Sequence, residues 1–225
     1  EIPNSAGNHS SPFITENTEY VVAGTRFSVP LDSENGDVPI QSYQKNFKGT
    51  ISFISVAPED GNMKIAFQLL LPGMNFDLSH SGKGPSSGWF FFSCYNAEQA
   101  HTLLEVNASK RDKDYILAVN WKKAEEYLKQ GKGEKQKVRY AHNKYSDETH
   151  MATSNIETEV TVIDVTKFPD IVYMIPCPKS PHGCDVDPSG EYIVGSGKLA
   201  ALIPVFSFSK IQTAIQNKDY DGDYG

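Results

Sequence analysis

The stretch that decides the fold is residues 180–194, SPHGCDVDPSGEYIV. Val186 before its centre and residues 192–194 after it are strand formers. The intervening segment 188–190 favours a tight turn, because proline fixes φ and glycine tolerates positive φ. The pattern predicts a β-hairpin like the inner half of a propeller blade. His182 would then stand at the head of the first strand, facing a central channel.

An internal repeat gives His182 a counterpart near the start of the chain. An Ile-Pro pair precedes His9 by the same interval as a second Ile-Pro pair precedes His182. Each copy continues through a polar turn into a strand, EYVVAG from residue 19 and EYIVG from residue 191. A propeller blade takes about 40–45 residues, so the interval is compatible with several blades or with fewer blades that carry long excursions.

The repeat leaves two interpretations of the histidines open. Equivalent positions of different blades converge on the propeller axis, so His9 and His182 could bind one metal ion. Neutral imidazole suits copper, zinc, iron or nickel, and the residue type does not choose among them. In the alternative, each histidine caps its strand by hydrogen bonding to the backbone.

Strand patterns fill the interval between the two copies. Residues 50–56 and 64–71 flank a turn and predict a hairpin, and residues 161–165 and 171–175 are expected to form a further pair. Other predicted strands are 89–95, 115–120 and 203–208. Helices are predicted at 121–130 and, with Ser209 as N-cap, at 209–216, while 82–88 and 131–151 have the composition of loops.

Composition excludes several classes of partner. The chain has 225 residues, of which 39% are hydrophobic and 22% charged, values typical of a globular protein with a sizeable core. A net charge of -7 provides no basic stripe for nucleic acid, so no nucleic-acid partner is expected. The longest apolar runs, such as 65–71, are too short to span a bilayer.

The ends of the chain and its cysteines are less informative. The chain starts at Glu1 with no signal region, and we expect it to be a piece of a longer protein. Its three cysteines are an odd number, and Cys177 and Cys184 flank the His182 loop. A disulfide between them is one alternative, and buried free thiols are the favoured one.

An oxygen-rich cluster follows the aromatic strand at 89–95. Tyr95, Asn96 and Glu98 come first, and Asp112 lies in the next loop. Carboxylates and carbonyls from one long loop suit a calcium ion, and a solvated polar loop is the alternative.

Three motifs together resemble nitrous oxide reductase. They are EIPN with His9 at residues 1–9, SCYNAE at 93–98, and SPHGC at 180–184 followed by GKL at 197–199. The resemblance covers essentially the whole chain and follows the same order. It implies an all-β fold in which residues 1–225 are part of one domain, an incomplete seven-bladed β-propeller segment with short peripheral helices. The N-terminal blades and a C-terminal cupredoxin domain would lie outside the chain.

The resemblance also implies the metal sites. His9 and His182 match two of seven histidines that hold a four-copper, sulfide-bridged cluster, and Asp77 matches a carboxylate that orients a ligand histidine. A possible calcium site would take Tyr95, Glu98, Asp112, the Val106 carbonyl and Ser180. Val106 stands where many members have methionine, and Ser180 where many have an asparagine ligand, so the calcium site departs from the family pattern.

The implied function is the two-electron reduction of N2O to N2 and water in denitrification. The implied setting is periplasmic, with a small electron-donor protein such as a cytochrome c or cupredoxin, a homodimer of the full-length form, and a dinuclear copper centre outside this chain. A chain with two of seven ligands cannot hold the cluster, so the isolated piece is expected to be inactive. The rival hypothesis is a non-catalytic β-propeller module for binding or assembly.

Overall fold

The computed structural model describes residues 13–26, 29–30, 47–56, 61, 63–94, 114–139, 157–197 and 199–220. This part of the chain is mostly β-structure with two short α-helices, in agreement with the predicted all-β class. The strands are β1 (Phe13–Ile14), β2 (Tyr20–Gly24), β3 (Val29–Pro30), β4 (Phe47–Ser55), β5 (Ile65–Pro72), β6 (Phe76–Ser81), β7 (Trp89–Cys94), β8 (Tyr115–Asn120), β9 (Glu134–Arg139), β10 (Glu157–Asp164), β11 (Val172–Pro176), β12 (Pro181–Val186), β13 (Tyr192–Gly197) and β14 (Val205–Ser207). The helices are α1 (Trp121–Lys129) and α2 (Phe208–Asn217), and a 3-10 turn covers Gly84–Ser86.

The strands form three sheets, each built on an antiparallel meander. The first sheet has the order β1-β2-β4-β5-β10-β9, with β3 paired to β4. The second has the order β11-β8-β7-β6 and the third β12-β13-β14. The pairing of β10 with β5 is parallel, and every other pairing among the described strands is antiparallel.

Two predicted hairpins are confirmed. β4 pairs with β5, and β12 pairs with β13 through partners such as Val186 and Ile193. The second turn is closed by the backbone N–H of Asp187, which donates to the Tyr192 carbonyl at 2.9 Å. Gly190 in this turn has φ +76°, the positive value that favours glycine.

Three sequence predictions of local structure were wrong. Residues 161–165 and 171–175 do not pair, because β10 joins the first sheet and β11 pairs with β8 in the second. The loop predicted at 131–151 contains β9, a polar strand held by its pairing with β10. The N-cap of α2 is Ser207, whose side chain accepts the N–H of Lys210, and not Ser209.

The second sheet is buried on both faces because it lies between the other two. Phe90 and Phe92 of β7 belong to the apolar cluster shared with the first sheet, while Trp89 and Phe91 belong to the cluster shared with the third. All six residues of β7 are buried. Burial on both faces explains why this strand is apolar at every position except Ser93 and does not alternate.

The first strands of the three meanders are neighbours. β6 contacts both β1 and β12. The rings of Phe13 on β1 and His80 on β6 lie 4.2 Å apart between centroids. The candidate site lies at the second of these two strand contacts, where β6 meets β12.

Candidate functional site

Two β-bulges of the same kind lie where β6 meets β12. In the pairing of β6 with β7, Phe76 lies opposite Cys94 and Ser79 opposite Phe92. Asp77 and Leu78 therefore share a single partner, Ser93. Two residues opposite one is the pattern of a β-bulge, which re-aims the side chains of the longer strand.

The bulge in β12 repeats this pattern. Pro181 lies opposite Gly197 and Cys184 opposite Gly195. His182 and Gly183 thus share one partner, Ser196. In both bulges, the first residue is a candidate site residue and the single partner is a serine.

Each serine hydroxyl accepts the backbone N–H that the bulge removes from the ladder. The Leu78 N–H donates to Ser93 Oγ at an N–O distance of 3.0 Å, and the Gly183 N–H donates to Ser196 Oγ at 2.6 Å. A backbone N–H that leaves the ladder needs another acceptor, and each serine hydroxyl supplies one.

The bulges bring Asp77 and His182 together. Nε2 of His182 lies 3.7 Å from Oδ2 of Asp77. The carboxylate is 3% exposed, whereas the imidazole is 41% exposed. At 3.7 Å these two atoms are in electrostatic contact but beyond hydrogen-bond distance. Histidines that bind metal through one ring nitrogen typically have a carboxylate or carbonyl beside the other.

Arg26 is a third member of this cluster. Its Nη1 lies 3.7 Å from Oδ1 of Asp77, and its side chain is 18% exposed. Burial lowers the pKa of Arg26, and the negative charge of Asp77 opposes that change. The carboxylate thus faces a cationic group on one side and an imidazole on the other.

Asp114 holds the segment that leads into His182. Its side-chain Oδ2 accepts the N–H of Ser180, and its backbone carbonyl accepts the N–H of Cys177 at 2.9 Å. Ser180 has φ +58°, a left-handed conformation that is strained for a residue with a Cβ. These two bonds stabilise the approach to the β12 bulge.

The three thiols are free, as the favoured interpretation of the sequence predicted. Cys94 and Cys184 are buried, and burial raises the pKa of both. Burial, with a contribution from Asp114, raises the pKa of Cys177 to about 12. The thiols are therefore protonated at neutral pH and are poor nucleophiles.

The predicted site residues divide into two groups. His182 and Asp77 are adjacent, and Ser180 is buried two residues before His182. The predicted residues His9, Tyr95, Glu98, Val106 and Asp112 lie outside the described part of the chain. Within that part, no group of three or more histidine, cysteine, aspartate or glutamate side chains is arranged to hold a metal ion.

The described residues fit the edge of a copper site. Imidazole is a suitable ligand for copper, as it is for zinc, iron and nickel, and carboxylates commonly lie beside imidazoles that bind metal. One such histidine cannot hold a cluster, so any copper site requires further ligands. For calcium, the described residues contribute only Ser180 of the predicted set.

Sequence reasoning missed Arg26, Ser93 and Asp114. Ser93 had a detectable signal, because it is a lone hydroxyl in the otherwise apolar strand WFFFSC. A buried polar residue in such a strand requires a hydrogen-bond partner. Arg26 and Asp114 gave no comparable signal, since their partners are distant in sequence.

Neither described helix is long and apolar enough to cross a membrane. No protein-family model matches the chain.

Two curated proteins are similar to the chain over most of its length. Nitrous-oxide reductase of Pseudomonas fluorescens is 23% identical over 210 residues, which are 91% of this chain and 28% of that protein. Nitrous-oxide reductase of Stutzerimonas stutzeri is 21% identical over 207 residues, 89% of this chain and 27% of that protein. The chain therefore spans little more than a quarter of the length of these relatives, to which it is distantly similar.

Proposed function

We propose that this chain is the central part of the propeller domain of a nitrous-oxide reductase. The observation that carries the proposal is the Asp77–His182 contact, 3.7 Å between Oδ2 and Nε2, at the junction of two sheets. The sequence repeat singles out His182, and the family resemblance singles out both His182 and Asp77. The distant similarity to two nitrous-oxide reductases over about nine-tenths of the chain supports the same assignment.

The arrangement of the sheets supports the propeller. Each sheet is a meander, and the first strand of each lies beside the first strand of the next. The strands nearest the axis of a propeller have this relationship. Each blade contributes an inner strand, so His182 on β12 would face the axis from the third of the three described sheets.

In this proposal, His9 and His182 supply two imidazole ligands to a multicopper sulfide cluster. Copper would supply the site that binds N2O and the electrons for its reduction to N2 and water. His182 binds through its imidazole, and Asp77 orients that ring. Arg26 places a positive charge 3.7 Å from the other carboxylate oxygen, Oδ1, of Asp77.

Other parts of the proposal concern residues and partners beyond these contacts. A calcium ion would take Tyr95, Glu98, Asp112, the Val106 carbonyl and Ser180. The remaining cluster ligands, the dinuclear copper centre, the cytochrome c or cupredoxin donor and the homodimer belong to the full-length periplasmic protein. The chain alone, with two of the ligands, would be inactive.

The test is His182→Ala in the full-length protein. We expect loss of the cluster's absorption spectrum, a lower copper content and loss of N2O turnover. Asp185→Ala is the matched control, because Asp185 is exposed on the same strand and is expected to leave all three unchanged. Unchanged spectrum, copper content and turnover in His182→Ala would refute the assignment and favour a non-catalytic binding or assembly module.

A further inference from the structure

We propose that Ser93 is a positioning residue that sets the Asp77–His182 contact. This inference rests on the proposed function for its relevance to copper, but its structural core does not require the metal. Ser93 is 0% exposed and lies on β7, which is not the strand of either residue that it positions.

The Ser93 hydroxyl joins the two strands that carry the candidate residues. It accepts the N–H of Leu78, the residue after Asp77, at 3.0 Å. It lies 2.9 Å from the carbonyl oxygen of His182 and 3.2 Å from that of Leu78. A hydroxyl has one proton, and the shorter contact indicates donation to His182.

One side chain therefore fixes the backbone beside both members of the contact. The bond to Leu78 holds the β6 bulge and so the direction of Asp77. The bond to His182 holds the β12 backbone from which the imidazole extends. Since Asp77 and His182 belong to different sheets, their separation depends on a link between the sheets, and Ser93 supplies one.

The chemistry at this position requires a small hydroxyl. Alanine would remove the acceptor of the Leu78 N–H and the donor to the His182 carbonyl, both in a part-buried environment. Cysteine has a similar shape, but its thiol is a weak donor and acceptor. Threonine retains the hydroxyl and adds one methyl group.

The test compares Ser93→Ala, Ser93→Cys and Ser93→Thr in the full-length protein. In the metal-free form, imidazole ¹⁵N NMR shifts report the environment of His182. In the copper-loaded form, copper retention against a chelator and the cluster spectrum report the site. We expect Ser93→Ala and Ser93→Cys to shift the His182 signals and to weaken copper retention about ten-fold, the lower range for outer-shell partners of metal ligands. Ser93→Thr keeps the hydroxyl and is expected to give His182 signals and copper retention like those of the wild type.

The matched control is Ser52→Ala in the first sheet. Ser52 is also a buried serine, and its hydroxyl accepts a hydrogen bond from Gln68 Nε2 at 2.9 Å. Ser52→Ala is expected to lower thermal stability without changing the His182 signals or copper retention. If Ser93→Ala also lowers thermal stability but changes neither the His182 signals nor copper retention, the positioning role is refuted.

The two proposals fail in distinguishable ways. A wild-type full-length protein that binds no copper would refute the proposed function. The ¹⁵N shifts of the metal-free protein would still test Ser93, since they depend only on contacts within this chain.

Discussion

The bulges of β6 and β12 share a backbone pattern and a serine in the same place, but they differ in their exposure to water. The β6 bulge lies in the sandwiched second sheet, where Asp77 and Ser93 are buried. The β12 bulge lies in the third sheet, where Ser196 is exposed and the His182 side chain is 41% exposed. The buried bulge therefore relies on protein partners, whereas water can replace partners at the exposed one.

This difference assigns the two bulges different tasks. A buried carboxylate needs compensation, and Asp77 has Arg26 and His182 nearby. A half-exposed imidazole is open to a ligand or to another part of the protein. In the proposed function, the β6 bulge holds the Asp77 carboxylate, and the β12 bulge presents the His182 imidazole that would bind the metal.

The largest effect is expected from Asp77→Ala. Without Asp77, the largely buried Arg26 loses the carboxylate that opposes its charge. We expect the free energy of unfolding to fall by about 3 kcal/mol. The denaturant midpoint measures this loss. Asp185→Ala, an exposed carboxylate on β12, is the control and should cost less than about 0.5 kcal/mol. Equal losses in the two variants would contradict the asymmetry between the bulges.

A smaller effect is expected from the serines, and it should differ between them. Ser93→Ala should cost about 2 kcal/mol because the Leu78 N–H loses its acceptor beside the fully buried Ser93 position. Ser196→Ala should cost about 0.5 kcal/mol or less, since water can accept the Gly183 N–H.

Hydrogen exchange gives a local measurement of the same contrast. The Leu78 amide should exchange much faster in Ser93→Ala than in the wild type. The Gly183 amide should exchange at a similar rate with and without Ser196. A Gly183 amide as strongly protected as that of Leu78 would contradict the exposed character of the β12 bulge.

The smallest effect is expected from pH at the β12–β13 turn. Hydrogen bonds from the Tyr192 N–H and from Ser189 lower the pKa of Asp187 below its ordinary value of 3.8. Because the pKa of Asp187 is lower in the folded than in the unfolded state, the carboxylate stabilises the turn at pH values above the unfolded-state pKa. This contribution is lost as the pH falls below about 4.

Amide exchange of the hairpin at about pH 5 and about pH 3 measures this loss. The turn should be less protected at the lower pH, and Asp187→Asn should remove the difference. A pH effect that persists in Asp187→Asn would assign it to another carboxylate.

Local patterns predicted those elements whose determinants are local. The β12–β13 hairpin was predicted because proline and glycine specify its turn, and α1 because its helix formers end before Gly131. The partners of β10 and β11 were not predictable, since apolar alternation reports burial and not the neighbouring strand. β9 gave no signal at all, because its sequence EKQKVR has only one apolar residue.

The candidate site divides in the same way. The repeat identified His182, and a family resemblance identified Asp77, but neither indicated their separation or the bulges that produce it. The contributions of Arg26 and Ser93 depend on contacts between segments far apart in the chain. Such contacts are set by the packing of sheets, which a single sequence does not display.

The path of the chain between β8 and β11 has a consequence for folding. After β8, the chain forms α1, then adds β9 and β10 to the first sheet, and only then returns to complete the second with β11. The pairing of β11 with β8 therefore closes a loop of chain that contains α1, β9 and β10. Contacts of such long sequence separation slow folding, and they tie the two sheets into one cooperative unit. We expect the third sheet, whose three strands are consecutive, to form without such a long-range closure.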